Sequence, residues 1–164
     1  MSQLAYEEAA DCWARALRVV ETMAAADESV PCDLLLRLGD ARWRAGETKR
    51  ARETFLAAAD VARKLDRPLE FARAALGYGA GFGYFGYAVT ANETLVALLE
   101  EALTRIGAGD GVVRVRLLAR LAVEHYYTGE AARREALSRE AVQMAERIGD
   151  PSARFFALYS LRWA

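Results

Sequence analysis

Apolar residues recur along this chain three or four positions apart almost from end to end, the spacing of one face of an α-helix. In residues 3–25 the face is Leu4, Ala9, Trp13, Ala16, Leu17 and Val20. Cys32 to Pro68 reads as two amphipathic helices joined at Gly46, because glycine takes the left-handed conformation that ends a helix. The second of these is expected over about 47 to 65. Counting Cys32 as position 1, Leu38-Gly39 falls at 7 and 8, Ala41 at 10, Ala51 at 20, Phe55 at 24 and Ala58 at 27. Small residues so placed let antiparallel helices approach, and the large one fills the space between them. Ala9, Trp13 and Ala16 repeat the offsets of Ala51, Phe55 and Ala58, so the first helix reads as the second half of a helix pair. It is expected to be either a piece cut from a longer array or a capping helix.

Further along, Asp27 to Val30 reads as a polar connector with Pro31 near the next helix start. Asp66 and Pro68 open a second pair, in which Leu76-Gly77 recovers the leucine-glycine step. Gly77 to Asn92 is irregular and holds GFGYFG, a literal G-x-G-x-x-G from Gly81 to Gly86. A dinucleotide site needs a strand feeding that motif and a helix opening at its glycines; here a helix leads in. Tyr78, Phe82, Tyr84, Phe85 and Tyr87 are therefore expected to pack between helices, to line an inner surface or to close a ligand pocket. Thr90 to Glu93 has the form of a capping box, and Asp110 that of an N-cap. A third pair follows, with Leu121-Ala122 in the leucine-glycine place and Gly129 as its turn. Arg134 and Ser138 replace its alanine and phenylalanine, while Ala141 is kept. Ile148 to Pro151 repeats the boundary of Leu65 to Pro68, and an apolar helix begins at Ser152.

The chain of 164 residues can bury roughly 70% of its unfolded surface. A net charge of −1 with both signs interspersed leaves no electrostatic footprint for nucleic acid. No apolar run approaches the ~20 residues of a membrane helix, and Cys12 and Cys32 have no metal-ligand spacing. Both cysteines are expected to be reduced packing residues in the cytoplasm. His125 is the single histidine, expected to be packed or to face a groove, and the adjacent pairs Glu7-Glu8 and Glu100-Glu101 point to different helix azimuths. Neither catalytic residues, nor a cofactor, nor a metal site is expected.

LLLRLGDARWRAG, ARETFLAAADVARKLDRP, ARAALGYGAGFGYFG, LLARLAVEHYYTGE and ALSREAVQMAERIGDP together carry a resemblance. The Cys32–Pro68 spacing matches the tetratricopeptide signature, and the chain resembles the helical-repeat arms of actinobacterial signal-transduction ATPases, LuxR-type transcriptional regulators and related adenylate cyclases. The resemblance implies an all-α, right-handed solenoid of seven or eight helices in one domain. Residues 1–26 would be a helix of a preceding repeat, and 31–66 the first full repeat. Residues 67–107 would be a repeat with a glycine and aromatic insertion, 110–149 another, and 151–164 the start of a further one. It also implies a concave face lined by the first helix of each pair. That face would comprise Asp33, Leu36, Asp40, Trp43 and Arg44, then Phe71, Ala74, Tyr78, Gly81 and Phe82, then Arg116, Ala119, Val123, Tyr126 and Tyr127. Asp40, Trp43, Arg44, Tyr78, Phe82, Arg116, Tyr126 and Tyr127 are the candidate groove residues. Arg116 and Arg120 suit the basic half of the carboxylate clamp known in chaperone-binding repeats, but Leu36, Asp40 and Ala75 depart from its other half.

No G-x-x-x-x-G-K-[ST] loop is present, so what carries over is the arm's role: a protein-interaction or sensor scaffold acting on a protein or peptide partner, or on neighbouring domains of a parent regulator. Two alternatives stand beside it. One is a small-molecule sensing module with an aromatic pocket from residues 78–87 and Tyr126-Tyr127. The other is an oligomerisation element, a homodimer through residues 152–164.

Overall fold

The computed structural model describes residues 3–23, 29–79, 92–126 and 128–162. Every regular element among them is an α-helix. The chain forms two compact units, Met1–Ala80 and Gly81–Ala164. The first contains α1 (Gln3–Thr22), α2 (Ser29–Arg44), α3 (Thr48–Lys64) and α4 (Pro68–Tyr78). The second contains α5 (Glu93–Ile106), α6 (Val112–Glu124), α7 (Ala131–Ile148) and α8 (Pro151–Leu161). Within each unit successive helices pack together; α2 also meets α4, and α6 meets α8.

The two units repeat one plan. α6, α7 and α8 each start 83 positions after α2, α3 and α4. Their turns recur at the same interval: Gly46 has φ 84° and Gly129 φ 77°, while Asp66 has φ 49° and Gly149 φ 71°. A left-handed residue ends each helix, a conformation open to glycine and tolerated by aspartate. Pro68 and Pro151 then open α4 and α8 in the first turn, where a missing N–H removes no helical bond. Asp150 caps α8, its Oδ1 accepting from the Ala153 amide at 2.7 Å.

Three helix starts differ from the sequence reading. α2 begins at Ser29, so residues 29 and 30 are helical rather than connector, and Pro31 stands in the first turn, whose amides need no helical acceptor. The cap of α5 is Asn92, whose Oδ1 accepts from the Leu95 amide at 3.1 Å; Thr90 lies outside the described residues. Gly111, not Asp110, is the cap position of α6. The Asp110 carboxylate instead accepts from Arg147 Nε and Nη2 at 2.7 and 2.8 Å. A two-pronged charged contact is stronger than a single amide bond at a helix start.

In the N-terminal unit the helices meet at Phe55 of α3, which is 2% exposed. Gly39 of α2 and Gly77 of α4 bring bare backbone against its ring. A Cβ on Gly39 would stand 2.7 Å from Phe55 Cε1, and one on Gly77 2.3 Å. Ala51 and Ala58, one turn to either side on α3, are fully buried, so three helices close on one ring through residues with little or no side chain. At the same places in the C-terminal unit stand Ser138, Ala122 and Ser160, each fully buried. There the large residue and the two glycines are replaced together by three small ones. α6 is the central helix of that unit: every residue from Leu117 to His125 is buried.

Gly77→Ala should therefore destabilise the protein by about 1–3 kcal/mol through overpacking, although alanine is the better helix former by about 1 kcal/mol. Phe55→Ala should cost about 3–5 kcal/mol. Urea unfolding of Gly77→Ala, Phe55→Leu and the double variant should show the pair coupled, with the smaller ring relieving the added methyl. A Gly77→Ala chain at least as stable as the parent would show that the ring is not clamped.

Candidate functional site

The candidate groove residues divide between the units. Asp40, Trp43, Arg44 and Tyr78 belong to the first; Arg116 and Tyr126 belong to the second. Phe82, Tyr127 and the whole GFGYFG stretch lie outside the described residues. Of the other positions assigned to a concave face, Leu36, Phe71, Ala74, Ala119 and Val123 are buried. They are core rather than lining, because apolar side chains at helical spacing are drawn into the nearest dry interface.

Four of the six described candidates instead enter arginine–aromatic pairs inside their own unit. The Arg44 guanidinium lies 5.5 Å from the Tyr6 ring centroid and its Nη1 donates to Tyr6 Oη at 3.3 Å. Arg52 covers Tyr78 at 5.6 Å, Arg116 covers Phe156 at 4.8 Å, and Arg134 covers Tyr126 at 5.7 Å. Each such contact is worth about 0.5–1 kcal/mol at an exposed site. They tie neighbouring segments together, and the Nε atoms of Arg52, Arg116 and Arg134 are buried beneath them. Asp40 is exposed and Trp43 half-buried.

The basic half of the clamp is also committed elsewhere. Arg120 donates from Nε and Nη2 to Glu124 Oε1 at 3.1 and 2.7 Å, and both residues are buried. The Asn92 amide donates to the other Glu124 oxygen, Oε2, at 3.4 Å, so the pair also holds the start of α5 against α6. The i,i+4 spacing of Arg120 and Glu124 is visible in the sequence, but it is also the spacing of an ordinary surface pair.

His125 follows directly and is 2% exposed. Thr128 Oγ1 donates its one hydrogen to the His125 carbonyl at 3.1 Å. With that hydrogen so placed, the 3.2 Å contact between Nδ1 and the same oxygen is the one an Nδ1–H tautomer makes. Nε2 is buried and has no hydrogen-bond partner among the described residues. Burial pushes the imidazole pKa below its ordinary value; Arg133 reinforces this, and the carboxylates of Glu130, Glu100 and Glu124 oppose it. The neutral ring is thus the form the fold accepts.

His125 lines a cleft of about 240 Å³ between α5, α6 and the start of α7. Glu93, Glu100 and Glu130 outnumber Arg133 along it, and Arg133 pairs with both Glu100 and Glu130. A second opening, of about 310 Å³, lies in the N-terminal unit between α1, α2 and α3. The two occupy related places in the repeated plan, since Arg42 of the second stands 83 positions before His125 and Ala14 stands 83 before Ala97. Their charge differs in sign: carboxylates prevail in the α5–α7 cleft, whereas Arg18 and Arg42 face Glu53 alone in the α1–α3 groove.

Among the described residues no group of three or more His, Cys, Asp or Glu side chains stands together as a metal site, and no helix is long and apolar enough to cross a membrane. Both cysteines are free. Cys32 is fully buried, and burial pushes its thiol pKa up. Cys12 is exposed rather than packed, because its position on α1 turns away from α2, which Ala9, Trp13 and Leu17 face. No protein-family model matches this chain, and no curated protein sequence matches it.

The depressed His125 pKa gives a signed prediction. The unfolded chain takes up a proton near pH 6.5 and the folded chain only at lower pH. Stability linked to His125 is therefore intact above that value and lost as pH falls below it, with a slope of up to ~1.4 kcal/mol per pH unit. Urea unfolding between pH 7.5 and 5 should show this slope, and His125→Asn should flatten it. Imidazole ¹⁵N shifts of this single histidine should report the Nδ1–H tautomer at neutral pH. An Nε2–H tautomer, or an unchanged slope in the variant, would refute the assignment.

Proposed function

We propose that this chain is a non-catalytic recognition scaffold. It is read as a right-handed α-solenoid of tetratricopeptide-like helix pairs that serves as the protein-interaction and sensor arm of a larger bacterial regulator, of the signal-transduction ATPase or LuxR type, in the cytoplasm. The recurrence of three helix starts at 83 positions supports the repeat reading, as does the closure of three helices on Phe55 through glycines and alanines.

One observation carries the recognition role. On α8, Phe155, Leu158 and Leu161 fall three apart on one face and are 61%, 48% and 42% exposed. Their counterparts on α4 include Ala72 and Ala75, which are fully buried. The same place in the plan is therefore covered and small in one unit, uncovered and large in the other. Contiguous large apolar side chains in water mark a surface that meets another protein, and the aromatic pair formed by Phe155 with Tyr159, at 6.3 Å between centroids, gives it a broad anchor.

The partner is a protein or peptide, or a neighbouring domain of the same regulator. A second reading, small-molecule sensing, is favoured by the clefts beside Arg42 and His125. A third is self-association through residues 152–164. A photo-cross-linking residue at Leu158 should capture one defined protein neighbour in the native host, and Phe155→Glu should remove that adduct while helicity and melting temperature hold. A dimer mass in light scattering that Phe155→Glu abolishes would assign the face to self-association instead. A monomer that yields no adduct would reject recognition through α8.

A further inference from the structure

The groove between α1, α2 and α3 combines an apolar floor with an oriented cation. Leu17 of α1, Leu35 and Leu38 of α2 and Ala57 of α3 supply the floor of its roughly 310 Å³. Arg42 stands at its side, half-buried. Its Nη1 donates to Thr54 Oγ1 at 2.6 Å, and that hydroxyl gives its own hydrogen to the Arg50 carbonyl at 2.7 Å. A neutral oxygen thus orients the guanidinium without neutralising it, and among the described residues no carboxylate is ion-paired with Arg42. A guanidinium has five N–H donors in a planar fork that matches a carboxylate, and this contact uses one of them.

The packing common to both units does not demand a cation here. The corresponding position is His125, and the cleft around it carries mostly carboxylates. Arg42 and Arg18 against the single Glu53 leave the α1–α3 groove with an excess of positive charge beside apolar surface. Such a groove is complementary to a molecule that is negative at one end and apolar at the other.

We propose that this groove binds a small amphipathic monocarboxylate, its apolar arm on Leu17, Leu35 and Leu38 and its carboxylate on the free edge of Arg42. Arg18, exposed on α1, adds charge at the rim. The site goes beyond the recognition role read from α8, uses different residues, and stands or falls independently of it.

Octanoate tests the proposal on the full chain, with octylammonium as the probe of opposite charge. Calorimetry should show octanoate binding saturably at one site per chain, and octylammonium at least tenfold more weakly. Backbone amide shifts should concentrate around Ala14, Leu38 and Ala57. Arg42→Met, which keeps the apolar stem, should weaken octanoate at least tenfold without changing the far-UV spectrum. Ala57→Leu, at an exposed helical position, should fill the groove and abolish binding, and it decides the matter if Arg42→Met does not fold. No saturable binding, equal affinity for both probes, shifts that map elsewhere, or full affinity after both substitutions would each overturn the proposal.

Discussion

A single phenyl ring held between two glycines governs the N-terminal unit. Phe55 is large, and Gly39 and Gly77 have no Cβ because a Cβ would enter the ring's own volume. The closeness of α2, α3 and α4 is thus set by what is missing from two helices and present on the third. Close-packed interiors respond to a change of one methyl group, so the three positions can only change together. The C-terminal unit is consistent with that coupling, since Ser138, Ala122 and Ser160 stand where the phenylalanine and the two glycines stood. One plan is realised with two different keystones.

Constraint at the contact points leaves freedom between them. The polar residues beside the two clefts take no part in the Phe55 contact or in its small-residue counterpart, and there the units differ in charge. Arg42 and His125 stand at corresponding positions, one a cation oriented by Thr54, the other a neutral ring held by Thr128. The buried Arg120–Glu124 ion pair is not repeated in the first unit, where Arg37 keeps the cation but Ala41 replaces the carboxylate. Its desolvation must be offset by good geometry and by the Asn92 amide. The result is a polar knot at the end of α6, next to the segment the sequence marks as irregular.

Much of the architecture could be read without coordinates. Gly46, Gly129 and Gly149 mark helix ends because the left-handed turn is a local demand of the backbone. Pro68 and Pro151 mark helix starts for an equally local reason, the absent N–H. Capping was less legible. Asp110 satisfies every local rule for a cap, yet a guanidinium 37 positions away takes its carboxylate. Among the candidate groove residues, Arg44, Arg116, Tyr78 and Tyr126 are each engaged by an arginine–aromatic neighbour that local spacing does not announce, and five other expected lining positions are buried.

By itself, then, the chain's order of residues determined helix content, helix breaks and the interval of the repeated plan, because hydrophobic period and turn chemistry act over a few residues. It also marked Leu38-Gly39, Phe55 and Leu76-Gly77 as contact points, since glycine inside a helical pattern costs about 1 kcal/mol against alanine and points to a packing reason. Only the tertiary structure decided which polar groups are buried and which apolar ones are bare. Arg120 and Glu124 have the spacing of a surface pair and lie inside, while Phe155 and Leu158 have the character of core and lie outside. Burial depends on which helix arrives from elsewhere in the chain, and no local pattern carries that information.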